Sequence, residues 1–212
     1  MKIQTKNPNE DLQAIRDIME RSSRFLSLSG LSGIFAGLCA LIGGAVAWFL
    51  ILDSGHIKYD EYMRSLGNAS TQNIRLYMAL DALLVLFFAS LGAFWFSYGK
   101  ARKAGQHFWG PSTRRLLVHL LIPLVTGGIF SIILVYRNNT DLVAAVMLIF
   151  YGLALVSAGK FTLGEIHYLG LTEVILGILA GIFIHYGLIF WMTGFGLVHI
   201  VYGAVMYYRY ER

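Results

Sequence analysis

The run YLGLTEVILGILAGIFIHYGLIFWMTGFGLVHIVYGAVMYY, residues 168–208, decides how this chain must be read. As one helix it would be about 60 Å long at 1.5 Å per residue, twice the roughly 30 Å of hydrocarbon in a bilayer. His185-Tyr186-Gly187 interrupts it near the middle. A turn there gives a helical hairpin of two spans, Tyr168 to Ile184 and Leu188 to Tyr208. The competing reading, one span followed by a surface helix, would move the carboxyl terminus to the other side of the membrane.

Working outward, four more stretches have the length and apolarity of a span: Phe25 to Leu52, Leu76 to Tyr98, Leu116 to Tyr136 and Leu142 to Ala158. Of the whole chain 57% is hydrophobic and only 14% charged, with a mean hydropathy of +0.62, which lies outside soluble usage. In oil every backbone N–H and C=O must find a partner within its own segment, so such stretches become helices. The prediction is an all-α, polytopic transmembrane helical bundle of six spans over residues 25–212, preceded by a cytoplasmic amphipathic segment over residues 1–24. In that segment Asn9 caps a helix that opens with Glu10 and Asp11, and Leu12, Ile15, Ile18 and Met19 share one side.

The basic residues divide unevenly between the two sides. With alternate loops assigned to opposite faces, Lys2, Lys6, Arg16, Arg21, Arg24, Lys100, Arg102, Lys103, Arg114, Arg115, Lys160, Arg209 and Arg212 fall on one side, against Lys58, Arg64, Arg75 and Arg137 on the other. The positive-inside rule then makes both termini cytoplasmic. Trp48 and Trp191 fall at the outer span ends, Trp95 and Trp109 near the inner ones, as expected of interfacial aromatics. The expected setting is a multi-pass protein of a bacterial inner (plasma) membrane. The net charge of +5 belongs to loops that set topology, so no nucleic-acid partner is implied. Lys100, Arg102, Lys103, Arg114 and Arg115, mixed with Phe108 and Trp109, would instead lie against anionic lipid headgroups. A homo-oligomer is left open. Cys39 is the single cysteine, and Glu165 and His167 are two apart and share no helical face, so neither a metal site nor a cofactor is expected.

Small residues recur at four-residue spacing, Ser29, Gly33 and Gly37 in the first span and Gly177 and Gly181 in the fifth, which lets helix backbones approach closely. The strings Gly30 to Leu38 and Gly170 to Ile178 are alike for the same packing reason.

Ionisable groups inside the hydrocarbon are the informative exceptions, because each costs on the order of 3 kcal/mol at mid-helix. Asp81, His119, Glu173 and His199 are the candidates, with Ser32 as a neutral companion. Counted from the cytoplasmic span ends, His119, Glu173, Ser32 and His199 lie roughly 6 to 14 Å deep. They would share one polar cavity if the helices bring them together. Asp81 sits nearer the outer end of its span, where Arg75 is its expected partner. In the third span Pro123 lacks the N–H owed to the His119 carbonyl, and Thr126, Gly127 and Gly128 follow it. A kink or unwound hinge is expected at Pro123, Gly127 and Gly128, and broken helices line ion sites in many carriers.

Gly30-Leu31-Ser32-Gly33 resembles the Gly-x-Ser-Gly motif of rhomboid intramembrane proteases, which also have a six-helix core and would pair the serine with a histidine such as His199. The resemblance covers only those residues. Rhomboids carry the serine in their fourth core helix and open toward the outer side, whereas Ser32 falls in the first span near the cytoplasmic end. Three classes therefore stand, in this order: a small-solute or ion transporter or channel-like protein with a buried Glu/His cluster, a membrane sensor or regulatory subunit acting through a partner, and an intramembrane hydrolase.

Overall fold

A computed structural model describes residues 27–52, 69–105 and 108–212, with side chains from residue 74 onward in the second helix. The predicted amphipathic helix over residues 1–24 and the basic residues Lys58 and Arg64 lie outside the described residues. Helix α1 covers Gly30–Val46 and runs on through a π-helical stretch, Ala47–Ile51. Helix α2 covers Ala69–Lys103, α3 Pro111–Tyr136, α4 Val143–Gly159 and α5 Gly164–Ile182. A 3₁₀ turn, Ile184–Tyr186, then leads into a last rod made of α6 (Gly187–Trp191), a π-helical stretch (Met192–Val198) and α7 (His199–Tyr210). Among the described residues six helical spans are long and apolar enough to cross a bilayer. The chain is a multi-pass integral membrane protein, and the turn at His185-Tyr186-Gly187 makes the hairpin the sequence predicts.

Neighbours in sequence are not always neighbours in space. Helix α2 packs on α1, α1 on the last rod, α4 and α5 along each other, and α3 on α4. The two outer helices, α2 and α3, turn rows of large apolar side chains outward, among them Leu83, Phe87 and Leu91 of α2 and Ile122, Ile129 and Ile132 of α3. Such surface suits lipid, which solvates Leu and Phe as well as a protein core does.

Two glycine seams hold the inner helices together. On the first, Gly30, Gly33 and Gly37 of α1 meet the last rod so closely that a Cβ on Gly37 would lie 2.6 Å from the Gly196 carbonyl oxygen, and one on Gly203 would lie 2.6 Å from that of Gly30. On the second, Cβ atoms at Gly152 of α4 and Gly170 of α5 would each lie 2.6 Å from the other's carbonyl oxygen. Here the missing side chains are the interface, as close packing in membranes requires.

The seam between α1 and α7 ends in a polar clamp. Ser29 occupies the N-cap of α1 without a side-chain capping bond of its own. The Glu211 carboxylate takes that role, accepting from Gly30 N at 2.5 Å, Ser29 Oγ at 3.0 Å and Lys100 Nζ at 3.2 Å. A carboxylate suits the positive end of a helix dipole. Lys100 also donates to the Leu28 carbonyl at 2.7 Å, which ties its ammonium to the start of α1. Arg102, Lys103, Arg114 and Arg115 remain exposed. Nearby, Glu165 accepts from Arg209 Nη1 at 2.9 Å and from the Tyr210 hydroxyl at 2.8 Å.

Three local expectations change. Trp191 is 9% exposed and packs with Ala40, Ala144 and Phe195 in the interior, not at an interface. Helix α3 is continuous through Pro123, with Gly127 buried against Phe150 and Gly128 facing open space. The π-helical backbone instead falls at the end of α1, Ala47–Ile51, and in the last rod, Met192–Val198. Finally, α5 starts at Gly164, four residues before the predicted Tyr168, because Arg209 and Tyr210 satisfy the Glu165 carboxylate at its first turn.

Candidate functional site

The earlier start of α5 moves Glu173 deeper than the sequence count allowed. It lies nine residues from either end of its helix, about 14 Å along the axis at 1.5 Å per residue, close to the middle of a 30 Å core. Tyr151 lies eight residues from either end of α4. His199 opens α7 directly after the π-helical stretch. Three polar side chains from three elements therefore meet at one level, midway through the bundle.

Glu173 is fully buried and His199 is 6% exposed. Their closest atoms, Glu173 Oε1 and His199 Nδ1, are 3.3 Å apart, yet neither carboxyl oxygen has a hydrogen bond. The reason lies in the ring's other contacts. Nδ1 is 2.9 Å from the Gly194 carbonyl oxygen, and a carbonyl can only accept, so Nδ1 carries a hydrogen and spends it there. Nε2 is 2.8 Å from the Tyr151 hydroxyl, which donates to it in the neutral ring. Glu173 is left beside the ring rather than bonded to it.

The backbone makes room for this arrangement. A Cβ on Gly194 would collide with Glu173 Oε2 and lie 2.6 Å from Leu148 Cδ2, so the carboxyl occupies space that only glycine leaves. The backbone N–H of His199 bonds Gly196, while its ring reaches back to Gly194. The ring thus closes the widened turn with a side-chain hydrogen bond. π-Helical bulges of this kind recur at functional sites. Aromatic packing fixes the ring: Phe195 stacks on it at 6.0 Å between centroids, and Tyr151 lies 4.9 Å from Phe195.

The other sequence candidates lie elsewhere. His119 is exposed on α3, stacked on Phe161 at 4.6 Å with Nδ1 3.5 Å from Ser157 Oγ. Ser32 is buried and donates back to the Ser29 carbonyl at 2.5 Å, while the His199 nitrogens face Tyr151 and Gly194. That leaves no serine–histidine pair for the protease-like motif. Asp81 faces the Gly43 position of α1, its Oδ2 3.4 Å from where a Cβ would be. Arg75 does not reach it. Six residues turn a helix by about 240°, and Arg75 donates instead to Asn138 Oδ1 at 3.0 Å, on the left-handed residue (φ 64°) that closes α3.

Tyr151 is the site residue that sequence reasoning missed. Its signal was a tyrosine at the centre of an apolar span, away from the interfaces where tyrosine usually sits. Gly194 was equally silent, since its role depends on which helix packs behind it. Fold and site together define a polytopic helical membrane protein with a carboxyl group at mid-depth. No protein family, curated protein or solved structure matches the chain.

Proposed function

We propose that this protein is a small-solute or ion carrier whose working site is the Glu173 carboxyl, assisted by His199 and Tyr151, with both termini on the cytoplasmic side. The observation that carries the reading is a fully buried carboxyl at mid-span without one hydrogen bond. Leaving such a group unsatisfied costs about 1–3 kcal/mol, more if charged, and intramembrane carboxyls mark ion and proton pathways by default. Its neighbourhood supports the same role. The last rod departs from α-helical geometry beside it, and carriers place their sites near the midplane at interrupted helices.

The test uses purified protein in vesicles of phosphatidylethanolamine and phosphatidylglycerol adsorbed on a solid-supported electrode. Rapid jumps in H⁺, Na⁺ or K⁺ should evoke a charge displacement for at least one ion, abolished in Glu173→Gln. Wild-type protein silent to all three, or a Glu173→Gln response equal to wild type, would refute the reading.

A further inference from the structure

We propose that the species taken up at Glu173 is a proton rather than a metal cation, and that His199 relays it between Tyr151 and Glu173. This rests on the carrier reading above and narrows it to one ligand and one route.

The donor set is the first argument. Hard cations gather about six or more oxygens. The Gly194 carbonyl and the Tyr151 hydroxyl, the oxygens on the His199 ring beside this carboxyl, are already engaged by that ring. His199 Nδ1, 3.3 Å from Oε1, carries hydrogen and would repel a cation. Among the described residues no third acidic, histidine or cysteine side chain joins the pair in a ligand cluster. From α1, the same stretch meets Gly37 and Leu41, both without charge. Toward one end of the bundle Leu155, Ile166, Leu169 and Met206 form an apolar cluster that offers no oxygen from their side chains, with Tyr151 and Tyr202 packed against it. A proton needs one acceptor lone pair and no room, and Glu173 has unused lone pairs on both oxygens.

The second argument is the geometry of transfer. A proton arriving at the Tyr151 hydroxyl oxygen displaces that group's own hydrogen onto His199 Nε2, giving an imidazolium. A small rotation of the ring then swings its Nδ1 hydrogen from the Gly194 carbonyl to Glu173 Oε1, 3.3 Å away, and releases it there. One proton has moved from Tyr151 to Glu173, the ring and the phenol are neutral again, and no electrons have changed hands. Exposure rises along the same chain, from Glu173 (0%) through His199 (6%) to Tyr151, which is half-buried, so Glu173 is the innermost link and Tyr151 the outermost.

Loading has a structural consequence. With its hydrogen on Nε2 the ring turns a bare lone pair toward the Gly194 carbonyl, and the widened stretch Met192–Val198 loses the side-chain bond that closes it. Proton occupancy is thereby linked to the shape of the last rod.

The experiment is charge displacement on the same electrode, with pH jumps at constant Na⁺ and K⁺ and alkali-cation jumps at constant pH. Wild-type protein should respond to pH alone. Tyr151→Phe keeps the ring packing but lacks the hydroxyl, and should leave the total displaced charge unchanged while slowing its rise by about a hundredfold, the lower range for a positioned proton donor. A merely structural role would lower the amplitude or change nothing. A response to Na⁺ or K⁺ at fixed pH would overturn the proton assignment and leave the carrier reading standing, whereas silence to every ion would end both. Wild-type kinetics in Tyr151→Phe would overturn the relay.

Discussion

Gly194→Ala tests the core of the site, because its cost is set by a neighbour that can itself be removed. The new Cβ would collide with Glu173 Oε2 and sit 2.6 Å from Leu148 Cδ2. Both of those side chains are fully buried, so neither can retreat into solvent. Overpacking of this kind costs about 1–3 kcal/mol, and the helix-propensity gain of Ala over Gly returns about 1 kcal/mol. With both neighbours confined, the upper end of the cost applies and the single mutant should lose about 2 kcal/mol. In a Glu173→Ala background the carboxyl is gone and the Leu148 methyl can shift into the vacated space away from the new Cβ, so the same substitution should be neutral or stabilise by up to about 1 kcal/mol. The coupling is then roughly 2–3 kcal/mol, within the range for residues in contact. Read by intrinsic fluorescence in lipid nanodiscs at one fixed scan rate, a chain of this size shifts about 2–4 °C per kcal/mol. Gly194→Ala should therefore melt about 4–8 °C below wild type, and the double mutant no lower than Glu173→Ala. Equal losses in the two backgrounds would refute the placement of the carboxyl against Gly194.

Three further outcomes follow from the same geometry. Glu173→Leu removes an unsatisfied buried polar group and should raise stability by about 1–3 kcal/mol while abolishing ion-evoked charge displacement; a lower melting temperature than wild type would show that the carboxyl is bonded after all. Gly203→Ala drives a Cβ to within 2.5 Å of Ile34 N and 2.6 Å of the Gly30 carbonyl oxygen, backbone atoms that cannot move aside, so it should lose about 3 kcal/mol, whereas Gly128→Ala, with nothing within 4 Å, should gain up to about 1 kcal/mol; similar melting of the two variants would contradict the seam. Glu211→Gln weakens the cap on α1 and its contact with Lys100, whose side chain is 22% exposed against 13% for Glu211; after allowance for solvent screening the loss should be about 1 kcal/mol and should shrink at high salt, while a salt-independent loss would point to packing instead.

The six spans were legible because hydrocarbon thickness imposes a length, and length can be read residue by residue. The hairpin at His185-Tyr186-Gly187 followed from the same constraint. Depth was legible only to within a turn: Glu165 looks like a surface residue until Arg209 and Tyr210, more than forty positions later, are seen to satisfy it. The site was half legible. Glu173 and His199 stood out as ionisable groups in oil, but their meeting depends on α5 lying beside the last rod, and hydropathy carries no information on helix order. Tyr151 was hidden because tyrosine counts as apolar in such a run. Pro123 was a false marker of unwound helix, whereas Gly194 and Gly196, which no sequence signal singled out, sit in a π-helical stretch. Trp191 shows the same limit: a span end in the sequence is not always an interface in the fold.

The seam between α1 and α7 also bears on how the protein is made. Helix α1 leaves the ribosome well before α7, the surface it fits closely. Until then the glycine ridge of Gly30, Gly33 and Gly37 stands open to lipid and the α1 N-terminus lacks its Glu211 cap. A chain cut short before Gly203 would keep that ridge uncovered, because no other glycine of the last rod meets Gly30 and Gly33 so closely.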